Sequence, residues 1–156
     1  MIHVSILGFG QYQFGHLVLD YNGTLAIDGR LIPLVGEKLA LFGQRLEVHV
    51  LTADTFGSAA SELQGLPCKL KVISQEFQDI AKQEYVTALG AESCICIGNG
   101  RNDRKMLAVS ALGIAVIQKE GACAETLVSA KVVCSSIIDA FDILENSKRL
   151  MATLRC

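Results

Sequence analysis

Short apolar runs alternate with amphipathic segments along almost the whole chain, and this alternation limits the choice of fold more than any other feature. Runs such as residues 16–20, 46–52 and 93–98 are mostly apolar. A strand that is covered on both faces has this pattern. Helical segments between the runs imply right-handed crossovers. We therefore predict a doubly wound α/β fold, with a parallel sheet between two helical layers.

The predicted elements follow a regular order. Strands are expected at 2–7 and 11–15, forming a β-hairpin, and then at 16–20, 46–52, 68–74, 93–98, 112–117 and 131–135. Helices are expected at 31–46, 55–66, 76–90, 101–111, 121–130 and 136–146. We predict one domain of residues 1–156, made of the hairpin (1–15), a core (16–146) and an apolar tail (147–156). The tail is expected to dock on the body or on another subunit.

Composition excludes several classes of function. The net charge is −2 and no basic run occurs, so nucleic-acid binding is not expected. Mean hydropathy is high at +0.39, but the apolar runs are much shorter than the ~20 residues that span a bilayer. Burial in a sheet or a subunit interface explains them better. The N-terminus has no signal-peptide pattern, so a cytoplasmic protein without membrane partners is expected.

Cysteine and histidine residues give weaker signals. The six cysteines include no Cys-x-x-Cys pair, and reduced, buried thiols are the favoured interpretation. Cys94 and Cys96 would share one strand face; a soft-metal site there is the alternative to core packing, although no other ligands complete it. His3, His16 and His49 lie in or beside strands, where a structural role outweighs catalysis.

Polar side chains cluster where the predicted strands end. Ligands bind in doubly wound folds beyond the carboxyl ends of the strands. Carboxylates, hydroxyls and a lysine there suit a divalent cation and a phosphoryl group. Lys82 is expected on a helix beside this edge. The residues that follow the strands are Asp20, Asn22, Gly23, Thr24, Thr52, Ala53, Asp54, Ser74, Gly98, Asn99, Gly100, Asn102 and Asp103.

Four motifs resemble those of the haloacid dehalogenase-like (HAD) phosphotransferases. "LDYNGTL", "LTAD", Lys82 and "IGNGRND" have the same order and suitable spacing. They are most similar to the phosphorylation domain of P-type ATPases, whose motifs read DKTGT and GDGxND. The likeness extends from about residue 16 to 146. Each residue alone would indicate only a turn or a solvated lysine, so the ordered set carries the resemblance.

The resemblance implies a role for each site residue. Asp20 would be the nucleophile, Thr52 would hold the phosphoryl group and Lys82 would neutralise charge. Asn22 would stand at the position of the general acid. The Mg²⁺ ligands would be Asp20, the backbone carbonyl of Asn22, Asn99 and Asp103. Gly23 and Thr24 would shape the turn, and with Ala53 and Asn102 they form the candidate cofactor-binding set.

Two departures from the family pattern affect the expected chemistry. Asn22 replaces the usual aspartic acid and cannot protonate a leaving oxygen. Phosphate esters should therefore react slowly, whereas anhydrides and acyl phosphates need no such proton. Asn99 replaces the first aspartate of GDGxND, which removes a negative charge and should weaken Mg²⁺ binding.

The spacing of the motifs leaves no room for a cap domain or a nucleotide-binding domain. The site should be open, and ATP recognition would be limited to its phosphates. Capless relatives often cover the site with a neighbouring subunit, so a homo-oligomer acting on a small phosphorylated substrate or phosphate is expected.

Two other functions are consistent with the sequence. The chain could be a non-catalytic descendant that keeps the fold as a binding or regulatory module, as the two amides and the absent cap would allow. Dinucleotide binding through "GFGQYQFG" is weaker, because these glycines precede the main strand and no helix follows them.

Overall fold

A six-stranded parallel sheet forms the centre of the fold in a computed structural model, which describes residues 1–53 and 57–156. The strands are β1 (Ile2–Ile6), β2 (Gly10–Phe14), β3 (His16–Asp20), β4 (Ala26–Ile27), β5 (Arg30–Leu31), β6 (Glu47–Thr52), β7 (Lys69–Val72), β8 (Cys94–Gly98), β9 (Leu112–Val116) and β10 (Val132–Cys134). The central sheet has the order β10–β9–β8–β3–β6–β7, with every neighbouring pair parallel.

Helices cover both faces of this sheet. They are α1 (Val35–Gly43), α2 (Ser58–Glu62), α3 (Gln78–Leu89), α4 (Arg104–Val109), α5 (Ala124–Ser129), α6 (Ile137–Glu145) and α7 (Ser147–Leu154), with 3₁₀ turns at Ala91–Ser93 and Arg101–Asp103. Side chains of α1 and α6 fill the core on one face, and those of α3 and α4 fill it on the other. The predicted doubly wound fold is confirmed. Among the described residues, no helix is both long and apolar enough to cross a membrane.

The strand order fixes where a ligand can bind. From β3 the chain moves outward through β6 and β7, and then returns to the other side of β3 with β8. The order therefore reverses between β3 and β8, and ligands of such sheets bind beyond the carboxyl ends at this point. Asp20 ends β3, and Asn99 directly follows β8.

The helix predicted within residues 31–46, with a start near Pro33, begins two residues later in the structure. Residues 26–31 form a small antiparallel hairpin of β4 and β5. Its two turn residues, Asp28 and Gly29, have φ angles of 51° and 76°, as a type I′ turn requires. Helix α1 begins only at Val35, after a left-handed Leu34.

Other boundaries differ from the predictions by a few residues. The helix expected at 101–111 divides into a 3₁₀ turn and α4, and the helix expected at 121–130 begins at Ala124. The helix expected at 55–66 falls partly on residues 54–56, which lie outside the described residues. All six cysteines are free, and Cys94 and Cys96 are buried in the core, as the core-packing interpretation requires.

Both ends of the chain pack against the body. The predicted N-terminal hairpin is present as β1 and β2. The C-terminal tail forms α7, which contacts β1 and α6. Leu150 of α7 is only 1% exposed and belongs to the main core. The tail therefore docks as predicted, and it fastens the hairpin to the core.

Replacement of Leu150 by alanine should test this packing. The change removes a buried side chain and leaves a cavity, so the free energy of unfolding should fall by about 2–4 kcal/mol. Chemical denaturation measures the loss. Met151 is 37% exposed on the same helix, and Met151→Ala is the matched control, with a change within about 0.5 kcal/mol. Equal losses in the two variants would contradict the assigned packing.

Candidate functional site

The centre of the site is an ion triad, called here the Lys82 triad, in which Lys82 bridges Asp20 and Asp103. Lys82 Nζ lies 2.6 Å from Asp20 Oδ1 and 2.6 Å from Asp103 Oδ1. All three side chains are buried. Asp20 ends β3, Lys82 lies on α3, and Asp103 ends the 3₁₀ turn after β8. The triad thus joins three elements that are far apart in the sequence.

One ammonium group serves two carboxylates in this triad. Burial raises the pKa of Asp20 to about 7; repulsion from Asp103 adds to the rise, and Lys82 opposes it. Burial disfavours the charged form of Lys82, but Asp103 and Asp20 together raise its pKa above the usual value. With both carboxylates ionised, the triad carries an excess negative charge. A bound cation would offset this charge.

Asp103 organises the loop that follows β8. Its Oδ2 accepts hydrogen bonds from the backbone N–H groups of Asn99 at 3.0 Å and Gly100 at 2.9 Å. A Cβ atom at Gly98 would come within 2.5 Å of the Asp103 carboxylate, so this close approach needs glycine. Both carboxylate oxygens of Asp103 therefore already accept hydrogen bonds from the protein.

Thr24 links the two sides of the site. Its hydroxyl lies 3.2 Å from Asp20 Oδ2 and 3.2 Å from Asn99 Oδ1. The Asn99 amide also donates to the Gly121 carbonyl at 3.0 Å, and its oxygen faces the Thr24 hydroxyl. Since one hydroxyl has one hydrogen, only one of these two oxygens can accept it at a time. The other oxygen is available to a cation.

Gly23 makes room for the Asn99 side chain. Its φ is +77°, and a Cβ atom at this position would overlap the Asn99 amide. The loop after Asp20 is also held by Gln118, whose amide donates to the carbonyls of Gly23 and Thr24, each at 2.9 Å. Gln118 in turn accepts from the Ile137 N–H at 2.8 Å. Sequence reasoning missed Gln118, although its place just after β9 puts it at the same edge of the sheet.

A cavity of about 830 Å³ opens at this edge. The Thr52 hydroxyl on its wall is buried and has no hydrogen-bond partner among the described residues. A phosphoryl oxygen would supply that partner. Predicted residues that line the cavity are Asp20, Asn22, Thr52, Ala53, Asn99 and Asn102; further lining residues that the sequence did not single out are Asp28, Arg30, Glu62, Gln78 and Glu120.

The structure brings the predicted residues together in two groups. Hydrogen bonds and ion pairs directly connect Asp20, Thr24, Lys82, Asn99 and Asp103. The second group consists of the predicted residues that line the cavity. One of them, Asn102, donates a hydrogen bond from its side-chain amide to Gln78 Oε1 at 2.7 Å. Asp54 of the "LTAD" motif lies outside the described residues. Carboxylate, amide and carbonyl oxygens at one edge are a donor set that fits Mg²⁺.

Comparison with known proteins identifies two short sequences of Methanocaldococcus jannaschii that are similar to parts of this chain; the uncharacterized protein MJ0072 is 44% identical over 39 residues, which cover 25% of this chain and 89% of that protein. No protein-family model matches the chain. The uncharacterized protein MJ0073 of Methanocaldococcus jannaschii is 43% identical over 82 residues, which cover 50% of this chain and 88% of that protein.

Solved structures identify the fold. A protein from Legionella pneumophila assigned to subfamily III A of the HAD-superfamily hydrolases superposes with a TM-score of 0.70 at 19% identity, covering 89% of this chain and 87% of that one. The 3-deoxy-D-manno-octulosonate 8-phosphate phosphatase of Moraxella catarrhalis, solved with magnesium and phosphate ions, has a TM-score of 0.69 at 15% identity, with 91% and 94% covered. The chain therefore has the fold of HAD-superfamily hydrolases.

The charge imbalance of the Lys82 triad predicts a pH-dependent effect of Asp20→Asn on stability. Asp20 has a pKa of about 7 when folded against an ordinary value of 3.8, so its proton stabilises the fold at low pH and this stability is lost as the pH rises through 7. In EDTA at pH 8, Asp20→Asn should therefore raise the free energy of unfolding by at least about 1 kcal/mol.

At pH 5 the gain in stability should be smaller, because Asp20 is then protonated in the folded chain and only the unfolded carboxyl, with its ordinary pKa of 3.8, is still ionised. Chemical denaturation at both pH values gives the comparison, and Glu84→Gln on the exposed face of α3 is the control. An equal effect of Asp20→Asn at pH 5 and pH 8 would contradict the assigned electrostatics.

Proposed function

We propose that this chain, which belongs to the same family as MJ0073, is a Mg²⁺-dependent phosphohydrolase that acts through an aspartyl-phosphate on Asp20. The Lys82 triad at the base of an oxygen-lined cavity carries the proposal. The shared HAD fold supports it, and so do the magnesium and phosphate ions bound to the phosphatase of M. catarrhalis.

Asp20 is the nucleophile in this proposal. One of its carboxylate oxygens attacks phosphorus, and the bond from phosphorus to the leaving oxygen breaks with its electron pair on that oxygen. Lys82, which already contacts Asp20, balances charge on the transferring oxygens. The Thr52 hydroxyl, which has no partner among the residues that the structure describes, donates to one of them. Water then attacks the phosphorus of the aspartyl-phosphate, which releases phosphate and restores the carboxylate.

Mg²⁺ would be held by Asp20, the backbone carbonyl of Asn22 and the Asn99 side chain, and it would supply positive charge opposite the phosphoryl oxygens. The sequence also predicts Asp103 as a ligand. Both oxygens of Asp103 also accept hydrogen bonds within the protein, so we assign it a positioning role as well. It holds Lys82 and the loop that carries Asn99.

Asn22 determines the substrate class. It is exposed and lines the cavity, at the place where a general acid would meet a leaving group. An amide has no proton to give at neutral pH, so the leaving group must depart as a stable anion. Acyl phosphates and phosphoric anhydrides meet this requirement, and the resemblance to the phosphorylation domain of P-type ATPases supports the same preference.

The proposal also covers the size of the substrate, the oligomeric state and the location of the enzyme. The substrate is a small phosphorylated compound, which suits a cavity of about 830 Å³. We propose that a neighbouring copy of the chain covers the cavity in a homo-oligomer, and that the protein works in the cytoplasm.

A second candidate function is a HAD-fold binding or regulatory module without turnover. The observation in its favour is the Asn99 amide, which donates to Gly121 as an aspartate could not. The local structure is thus built around the amide. This candidate predicts no phosphate release from any substrate, even when Asn22 and Asn99 are both changed to aspartate.

Phosphate release tests the proposed function. The wild type with Mg²⁺ should hydrolyse acetyl phosphate faster than an alkyl phosphate such as glycerol 3-phosphate, and Asp20→Asn should lower the rate on acetyl phosphate by ~10³-fold or more. Asn22→Asp should raise the rate on the alkyl phosphate by ~10²-fold, because it restores a general acid for the alkoxide leaving group. Asn146→Asp, outside the site, is the control. Turnover by Asp20→Asn equal to that of the wild type would refute the proposal.

Asn99→Asp should have opposite effects with and without metal. In EDTA the variant loses the hydrogen bond to Gly121 and places a carboxylate against Thr24 in a site that already carries an excess negative charge, so the free energy of unfolding should fall by about 1–3 kcal/mol. With Mg²⁺ the added charge should tighten binding, and the melting temperature should rise more than in the wild type. Thermal unfolding over a Mg²⁺ titration measures both effects. A variant with no greater response to Mg²⁺ than the wild type would exclude Asn99 as a ligand.

A further inference from the structure

A second cluster of metal-ligating side chains lies at the opposite edge of the sheet. His16 begins β3, Glu47 begins β6, and the two residues are register partners. His49 follows two residues later on the same face of β6. Four residues of extended strand, about 13 Å, separate His16 from Asp20. The proposed hydrolase reaction therefore makes no use of these three residues, which we call the His16 cluster.

The ligand atoms of the His16 cluster are spaced as a metal ion requires. His16 Nδ1 lies 3.2 Å from His49 Nε2, and His49 Nε2 lies 3.5 Å from Glu47 Oε1. One ligand atom from each residue lies within 4.8 Å of the other two. In a tetrahedral zinc site with bonds of about 2.0–2.1 Å, neighbouring ligand atoms are about 3.3–3.4 Å apart. The two closest separations match this edge length.

Tyr85 sets the orientation of the His49 ring. The His49 Nδ1 atom lies 2.9 Å from the Tyr85 hydroxyl on α3. When Nδ1–H donates to this hydroxyl, the lone pair of Nε2 points toward His16 and Glu47. Metal-bound histidines commonly donate their second nitrogen to such a partner. His49 is only 1% exposed, so its ring is held in place.

Two other cations compete for these ligand atoms. A proton shared between His16 and His49 would explain their 3.2 Å separation alone, but not the approach of the Glu47 oxygen to the same nitrogen. Lys69 forms an ion pair with Glu47, and its side chain is 67% exposed. An ion pair so exposed is weak. A metal ion can therefore displace Lys69 from Glu47.

We propose that His16, Glu47 and His49 bind a divalent transition metal ion, with zinc as the best match and water as the fourth ligand. Two imidazoles and one carboxylate suit zinc, whereas Mg²⁺ prefers oxygen ligands alone. The Glu47 side chain is 42% exposed, which gives the ion a path from solvent. The bound ion would join the amino ends of β3 and β6, whose carboxyl ends carry Asp20 and Thr52.

Metal titrations of the full chain test this site. After EDTA treatment and exchange into buffer with excess Mg²⁺, which would occupy the proposed site at Asp20, the wild type should bind one equivalent of Zn²⁺ in calorimetry. His16→Ala and Glu47→Ala should each weaken binding at least about tenfold. His3→Ala, which removes an exposed histidine from β1, should bind as the wild type does. Lys69→Met should tighten binding by up to about fivefold, because it removes the competing cation.

Co²⁺ as a spectroscopic probe separates this site from a cysteine site. Nitrogen and oxygen ligands give visible bands of tetrahedral Co²⁺ without the thiolate charge-transfer band in the ultraviolet. Unchanged Zn²⁺ affinity in His16→Ala and Glu47→Ala, each shown by circular dichroism to be folded, would overturn the proposal. Absence of saturable Zn²⁺ binding by the wild type, or a thiolate band with bound Co²⁺, would overturn it as well.

Discussion

The buried charge of Lys82 is the constraint on which the carboxyl edge of the sheet depends. A buried lysine needs at least one carboxylate partner, because an unpaired buried charge costs several kcal/mol of stability. Removal of one partner is tolerated only where the remaining charges balance. Asp20 and Asp103 meet this demand from two different strand ends. The position of α3 relative to β3 and β8 is thus fixed by electrostatics as well as by packing.

A second layer of hydrogen bonds restricts the residues around that charge. Asp103 holds the backbone after β8, Thr24 connects Asp20 with Asn99, and Gln118 fastens the loop after β3 to β9 and α6. Each of these groups is satisfied by protein partners. Thr52 differs, since its buried hydroxyl has none among the described residues. The charged groups of the site are therefore held by protein partners, whereas the Thr52 hydroxyl is left to hydrogen-bond a phosphoryl group.

The sequence predicts the sheet well, and it predicts which polar residues meet at one edge of the sheet, because both depend on local patterns. Buried parallel strands appear as apolar runs, and the polar residues after them must meet at one edge. The role of each site residue is harder to predict, because it depends on which side chains come within contact distance in the folded chain. Asp103 and Asn99 both follow β8, but only the folded loop shows that Asp103 pairs with Lys82 while Asn99 faces Thr24. The β4–β5 hairpin was missed although its Asp-Gly turn was visible, and the His16 cluster depends on strand register.

The hydrogen bond from the Gly100 N–H to Asp103 also affects spontaneous deamidation of the neighbouring asparagine. Asn-Gly sequences deamidate when the glycine nitrogen attacks the asparagine side-chain carbonyl and closes a five-membered imide. At Asn99 that nitrogen is engaged by Asp103, and the amide is tied to Gly121. Ring closure would have to break both bonds inside a buried network. This Asn-Gly pair is consequently protected from spontaneous conversion to isoaspartate for as long as the chain stays folded.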